Sequence, residues 1–260
     1  MLARVRPVAL TIAGSDPSGG AGIQADVVTF ARFGVHGASV VTALTVQDTR
    51  GVRAVMGVPP ELVAQQLAAV RDDLHVRAAK TGMLLGAAVV EVVADALRAR
   101  PVPALVVDPV LRATSGDALL DPDALDALRA RLLPLATLVA PNLDEAEALT
   151  GRRVDGPAAM RDAARALVDD LGAGAALVKG GHLAGPALDV LYDGRTLHEL
   201  SAARVAGGAV RGTGCALSAA VTAGLALGHD LPTAVDAAKR WVSAAIAGAE
   251  PLGRGARLLG

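Results

Sequence analysis

One cysteine, Cys215, is all the thiol chemistry in this 260-residue chain, so it can form no intrachain disulfide and it suits a reducing interior. Lysine is nearly as scarce. Lys80, Lys179 and Lys239 are the only three, and arginine supplies every other basic side chain. The basic residues are spread singly and the formal net charge is −1, which gives no general attraction to nucleic acid or anionic lipid. No apolar stretch reaches the ~18–20 residues needed to span a bilayer. The amino end, MLARVRPVALTIAG, sets two arginines before a short apolar run. It then enters Gly14-Ser15-Asp16-Pro17 without a small-x-small cleavage pattern, so it reads as a buried strand and not as a secretory signal. No His/Cys/Asp cluster has zinc spacing. A G-x-x-x-x-G-K-[ST] sequence is missing too, which speaks against a P-loop nucleotidase. Without a linker, repeat or low-complexity break, residues 1–260 are expected to form one cytoplasmic domain.

Short apolar runs alternate with helical spacing along the chain. Strands are predicted at Val8–Ala13, Ala38–Val46, Gly51–Val58, Val76–Ala79, Ala104–Val107, Thr137–Ala140 and Ala175–Val178. Helices are predicted at Ile23–Phe33, Glu61–Val70, Ala87–Ala99, from Pro122, at Asn142–Leu149 and Pro157–Leu171, and over roughly 214–227 and 232–248. Asp193-Gly194, between Asp189–Tyr192 and Thr196–Leu200, signals a hairpin with a two-residue turn. This alternation predicts an α/β fold with a largely parallel sheet and helices on both faces. The strands lack polar alternation, as sheets covered on both faces do, and the alanine enrichment implies closely packed helices.

Ligands of such sheets bind beyond the carboxyl ends of the strands. Asp16, Gln47, Lys80, Asp108, Asn142 and Lys179 all follow predicted strands. Gly212-Thr213-Gly214 runs into an apolar helix, and the free N–H groups and positive dipole end of such a turn suit a phosphate or a developing anion. Cys215 sits in that first turn, where the same field is expected to lower a thiol pKa. Asn142-x-x-Glu145 places an amide and a carboxylate one turn apart, fit either for a shared ligand or for capping the helix. Asp108 and Glu145 suit Mg²⁺, which prefers one or two carboxylates with waters and substrate phosphates. Lys179, followed by two glycines, can reach a phosphate across bare backbone or extend into solvent. His182 reads as structural or solvent-facing. Gly20-Ala21-Gly22-Ile23-Gln24-Ala25 matches the dinucleotide fingerprint only in letters. Ser15–Gly19 separate it from the strand, and Asp16 and Asp26 would repel a pyrophosphate.

Taken together, ALTIAGSDPSGGAGIQAD (9–26), VTALTVQDT (41–49), KTGML (80–84), VVDPV (106–110), PNLDEA (141–146), VKGGH (178–182) and GTGC (212–215) resemble the bacterial hydroxymethylpyrimidine/phosphomethylpyrimidine kinases of thiamine synthesis. These belong to the ribokinase-like superfamily. The resemblance implies a three-layer α/β/α sandwich that uses MgATP to phosphorylate 4-amino-5-hydroxymethyl-2-methylpyrimidine and then its monophosphate. It implies that Gln47 bonds the pyrimidine and that Gly14, Ala21, Asp26, Thr45, Met83 and Val110 shape its pocket. Asp108, Asn142 and Glu145 would handle Mg²⁺ and phosphate, and Lys179 would contact ATP. Gly212, Thr213, Gly214 and Cys215 would supply the anion hole, with Thr213 also toward the nucleotide. It further implies a homodimer with small-molecule partners and neither nucleic acid nor membrane.

The chain departs from that family at two positions. Arg211 stands where histidine is frequent and would reach the nucleotide phosphates or solvent, and Ala216 stands where threonine is frequent. The chain ends soon after its last predicted helix, so no fused pathway enzyme is expected. Two rival readings are a pyridoxal kinase of the same fold and a catalytically silent binding protein on this scaffold.

Overall fold

The computed structural model describes residues 6–111, 121–181, 183, 185–206 and 208–259. Its elements in chain order are β1 (Val8–Ser15), α1 (Gly22–Arg32), β2 (His36–Asp48), β3 (Gly51–Gly57), α2 (Pro60–Asp73), β4 (Val76–Thr81), α3 (Ala87–Ala99), β5 (Leu105–Val107) and α4 (Pro122–Ala127). A π-helical turn and a 3₁₀ turn carry α4 on to Leu135. Then come β6 (Leu138–Val139), α5 (Leu143–Thr150), α6 (Pro157–Asp169), β7 (Ala176–Lys179), β8 (Ala187–Tyr192), β9 (Leu197–Ala202), β10 (Val210–Arg211), α7 (Thr213–Ala226), α8 (Leu231–Ala247) and β11 (Arg257–Leu258).

Nine strands form one sheet in the order β3-β2-β1-β4-β5-β6-β7-β8-β9. From β2 to β7 all neighbours are parallel, while β3, β8 and β9 join antiparallel at the two edges. The chain lays β2 on one side of β1 and β4 on the other, so the winding reverses between β1 and β4. A crevice opens at such a reversal, beyond the carboxyl ends of the strands.

Alternate strand residues feed two opposite cores. Leu10, Ile12, Leu105, Val107, Val139 and Val178 pack with α2 to α6, whereas Ala9, Ala78, Val106, Leu138 and Leu177 face α1, α7 and α8. The three layers follow from this period of two. Helix α7 is buried around nearly its whole circumference, which explains its small residues. A Cβ at Gly224 would come within 2.9 Å of Ala234 Cβ on α8, so the two helices approach as closely as backbones allow.

Two details differ from the sequence expectation. The β8–β9 hairpin turns through four residues, since Tyr192 pairs with Leu197. The Asp193 carboxylate accepts from the N–H groups of Arg195 and Thr196 at 2.9 and 2.7 Å, and this side-chain bonding widens the two-residue turn that Asp-Gly signals. The short parallel pair β10–β11 has no local pattern that announces it, because its register comes entirely from tertiary packing.

Beneath the crevice lies an ion pair with no solvent exposure, Lys80 Nζ to Asp26 Oδ1 at 2.8 Å. Thr11 and Lys80 are register partners on β1 and β4, and Thr11 donates to the other Asp26 oxygen at 2.6 Å. We predict that Lys80→Met, which leaves the Asp26 carboxylate buried without its counter-charge, lowers unfolding free energy by about 3–5 kcal/mol. Urea denaturation measures this. Lys80→Met with Asp26→Leu should recover most of the loss, and a single variant as stable as the parent would contradict the assignment.

Candidate active site

One cleft of about 1050 Å³ runs along the carboxyl ends of the strands, and every candidate residue named from the sequence lines it. Gly14, Ala21, Thr45, Gln47, Met83 and Val110 gather at the β1/β2/β4 end, and Asn142, Glu145 and Lys179 at the β6/β7 end, with residues 212–215 reaching both. His182 lies outside the described residues.

The first end is a narrow slot. A Cβ on Gly14 would stand 2.9 Å from Met83 Cε, so glycine there lets the thioether pack directly against the end of β1. Met83 is buried against Ala43, with Val55, Leu85 and Val110 beside it. The Thr45 hydroxyl donates to the Ser15 carbonyl at 2.9 Å and ties the ends of β1 and β2 together. The half-buried Gln47 side chain makes no hydrogen bond with the described residues, so its amide keeps a donor and an acceptor for a ligand.

The middle of the cleft is the amino end of α7. Gly212 adopts φ 75°, and a Cβ there would collide with the Gly20 carbonyl oxygen, so both conformation and contact require glycine. Intrahelical bonding begins at Ala216 N–H, which donates to the Gly212 carbonyl at 2.8 Å. The amides just ahead of it are therefore left for an anion. Lys179 Nζ lies 3.0 Å from Asp108 Oδ1 and would be 3.4 Å from a Cβ on Gly214, which puts the ammonium against the same helix start. Burial works against its charge, but Asp108 and Glu145 hold its pKa above the ordinary value. Asp108 is fixed from the other side by the Ser218 hydroxyl at 3.0 Å. Burial opposes its ionisation, yet Lys179 and Lys80 keep its carboxyl below the usual range.

Asn142 and Glu145 cap α5 reciprocally. Asn142 Oδ1 accepts from Glu145 N–H at 2.9 Å, and Glu145 Oε2 accepts from Asn142 N–H at 2.8 Å. The capping role therefore exists in the protein, and it also aims a buried carboxylate into the cleft. Burial pushes the Glu145 pKa up to about 7, with Asp108 adding to the rise and Lys179 opposing it.

Two expectations are corrected. The Cys215 thiol pKa is not lowered but pushed up to about 11. Burial dominates; Lys80 opposes it, Asp108 and Asp26 add to it, and the Gly22 N–H helps the thiolate least. Arg211 does not extend into solvent. It is buried, donates from Nη1 to the Asp48 carbonyl at 3.0 Å, and has Nε 3.7 Å from Asp16 Oδ2. It thus braces the loops around the ring slot. Sequence reasoning missed Ser218, Asp189 and the pairing of Lys239. For Lys239 the scarcity of lysine was the only signal.

Comparison with known proteins agrees with this geometry. The family described as phosphomethylpyrimidine kinase matches residues 16–259. A hydroxymethylpyrimidine/phosphomethylpyrimidine kinase of Streptomyces coelicolor is 51% identical, covering 96% of this chain and 92% of its own. Among solved structures, the ADP complex of Bacillus subtilis pyridoxal kinase has a TM-score of 0.89 and 37% identity, covering 97% of this chain and 96% of that one. Phosphomethylpyrimidine kinase from Clostridium difficile has a TM-score of 0.82 and 38% identity, over 93% of this chain and all of that one. By sequence over nearly its whole length, and by a three-layer ribokinase-like architecture, the chain belongs to the phosphomethylpyrimidine kinase family.

Proposed function

We propose that this single-domain chain is an ATP-dependent kinase that phosphorylates 4-amino-5-hydroxymethyl-2-methylpyrimidine and then phosphorylates the resulting monophosphate to the diphosphate. The observation that carries this reading is the Lys179 ammonium, held by Asp108 against the amino end of α7 in the same cleft that Gln47 and Met83 line. Phosphoryl transfer needs little covalent chemistry from a protein. Positioning, and neutralisation of the transferred oxygens by amides and cations, supply most of the acceleration.

In this reading Gly14, Ala21, Met83 and Val110 hold the ring, Asp26 and Thr45 support the slot, and the Gln47 amide bonds the ring's nitrogen and amino group. Gly212 to Cys215 receive the transferred phosphoryl on backbone N–H groups, and Lys179 neutralises its charge. The chain holds no preformed metal cage: among the described residues no three His, Cys, Asp or Glu side chains cluster to hold an ion. Asp108 and Glu145 nevertheless raise each other's cost of ionisation, and such a carboxylate pair fits Mg²⁺ that arrives with its nucleotide and keeps waters and phosphates as ligands. When bound, that ion supplies neutralising charge at phosphate oxygens. Asn142 keeps Glu145 in place for it.

The two acceptors differ in one respect. The hydroxymethyl oxygen must lose a proton, whereas the monophosphate offers an oxygen that is already anionic. A thiol with a pKa of about 11 is protonated at neutral pH, which argues against Cys215 as base and leaves the hydroxyl proton to a phosphate oxygen, with the backbone amides stabilising the transferred group. A homodimer in the cytoplasm completes the proposal. Support for the dimer comes from Leu44, Val46 and Met56, exposed together on the β2–β3 hairpin.

The primary test is ADP release with MgATP and the pyrimidine alcohol, with products identified by mass. Formation of both mono- and diphosphate is expected, and kcat/KM should be higher than for pyridoxal. A preference for pyridoxal would move the chain to that kinase activity. Gln47→Ala should raise KM for the pyrimidine while ADP affinity stays near the parent value, and equal losses in both would point to a collapsed slot. Cys215→Ser should reduce kcat less than about tenfold on either acceptor. A loss of about 10²-fold or more confined to the alcohol would restore the thiol as general base. The thiol can also be titrated directly, since it is the only one in the chain. At pH 8 about one part in a thousand is thiolate, so alkylation should accelerate steadily toward pH 11. A plateau below pH 8 would mean that the raised pKa is wrong.

A further inference from the structure

The chain carries 22 arginines and three lysines, and all three lysines line the one cleft. Each is paired with a buried aspartate: Lys80 with Asp26 at 2.8 Å, Lys179 with Asp108 at 3.0 Å, and Lys239 with Asp189 at 2.6 Å. Among the described residues, almost every ion pair outside the cleft uses arginine. An ammonium is a compact point charge, and the planar guanidinium fork does not substitute for it in a confined space. Lys80 and Lys179 already have places in the pocket floor and the anion site. Lys239, on α8, has none, and no motif contains it.

Its surroundings define a task. Lys239 Nζ donates to Asp189 Oδ2 and, at 2.9 Å, to the Ala187 carbonyl, so among the described residues one of its three N–H donors is left over. The other Asp189 oxygen accepts from Gly180 N–H at 3.0 Å, and Asp189 is the register partner of Lys179 across β7–β8. One carboxylate therefore joins α8 to the turn that follows Lys179. That turn has no slack, because a Cβ on Gly180 would collide with the Leu188 carbonyl oxygen. Val242, Ser243 and Ile246, three, four and seven residues after Lys239, line the same end of the cleft, as the helical repeat requires.

We propose that Lys239, held by Asp189, is a third functional lysine, which recognises the nucleoside triphosphate with its remaining N–H while the pair positions the Lys179-Gly180-Gly181 turn against that ligand. The proposal deepens the kinase reading and rests on it. The experiment titrates the full-length protein with MgADP and, separately, with the pyrimidine alcohol by calorimetry, and measures KM for both substrates. Lys239→Met should weaken ADP binding and raise KM for ATP about tenfold or more, the usual scale for a lost charge-assisted hydrogen bond, with pyrimidine affinity unchanged. Asp189→Asn retains an acceptor oxygen for Gly180 N–H and replaces the oxygen that accepts from Lys239 with an N–H donor, so it breaks the pair and spares the turn. It should shift the same two nucleotide parameters, and it serves if Lys239→Met does not fold. Unchanged ADP affinity in both variants, or equal losses for ADP and pyrimidine, would overturn the proposal. If the parent protein binds ADP but phosphorylates no pyrimidine, the kinase reading fails, and the ADP titrations still decide the role of Lys239.

Discussion

Two opposite charges at 2.8 Å with no access to water, Lys80 and Asp26, fix the geometry on which the rest of this molecule depends. Removing both ions from water costs several kcal/mol each, and only close pairing with further hydrogen bonds offsets that. Burial opposes the Lys80 charge, but Asp26 holds its pKa above the ordinary value. The pair therefore dictates where α1 sits on the sheet. With α1 set, the loop before it must carry Gly20 and Gly22 past the end of β1. The Gly20 carbonyl is then the surface against which Gly212 turns into α7. The anion site is thus placed by an interaction one layer beneath it.

Much of this was legible in the sequence because both signals involved are local. Runs such as Val8–Ala13 and Ala104–Val107 could only be doubly covered strands, and the spacing in Ala87–Ala99 matched helix α3 at both ends. Polar residues after successive strands mark the rim of the cleft. What escaped was set by distant parts of the chain. The fate of Arg211 depends on Asp16 and on the Asp48 carbonyl, which no window around Arg211 contains. The thiol of Cys215 follows the same rule. Its helix position argued for a lowered pKa, but the sign is decided by burial among distant parts of the chain.

The distribution of charge around the cleft separates two kinds of work. Three buried aspartates are paired with lysine, and the Glu145 carboxyl is held near neutrality by burial. Positive charge and free N–H groups converge on the amino end of α7. A site of this kind stabilises an incoming anion without relocating a proton within the protein. In the proposed reading, selectivity for the ring belongs to the surface around Met83 and to the Gln47 amide, apart from the amino end of α7.

Helix α7 is packed on almost every side by small residues, with α8 at backbone distance. Such a helix has no free direction in which to shift, so its amides form a fixed post. A kinase that adds two phosphoryl groups in succession must then transfer both at one point in space, and the acceptor has to retreat by the length of the first phosphoryl before the second transfer. The travel falls to the ligand, and the slot walls have to allow it. A thioether at Met83, unbranched and polarisable and packed directly on Gly14, makes a single compliant wall that a flat ring could slide along while remaining in contact.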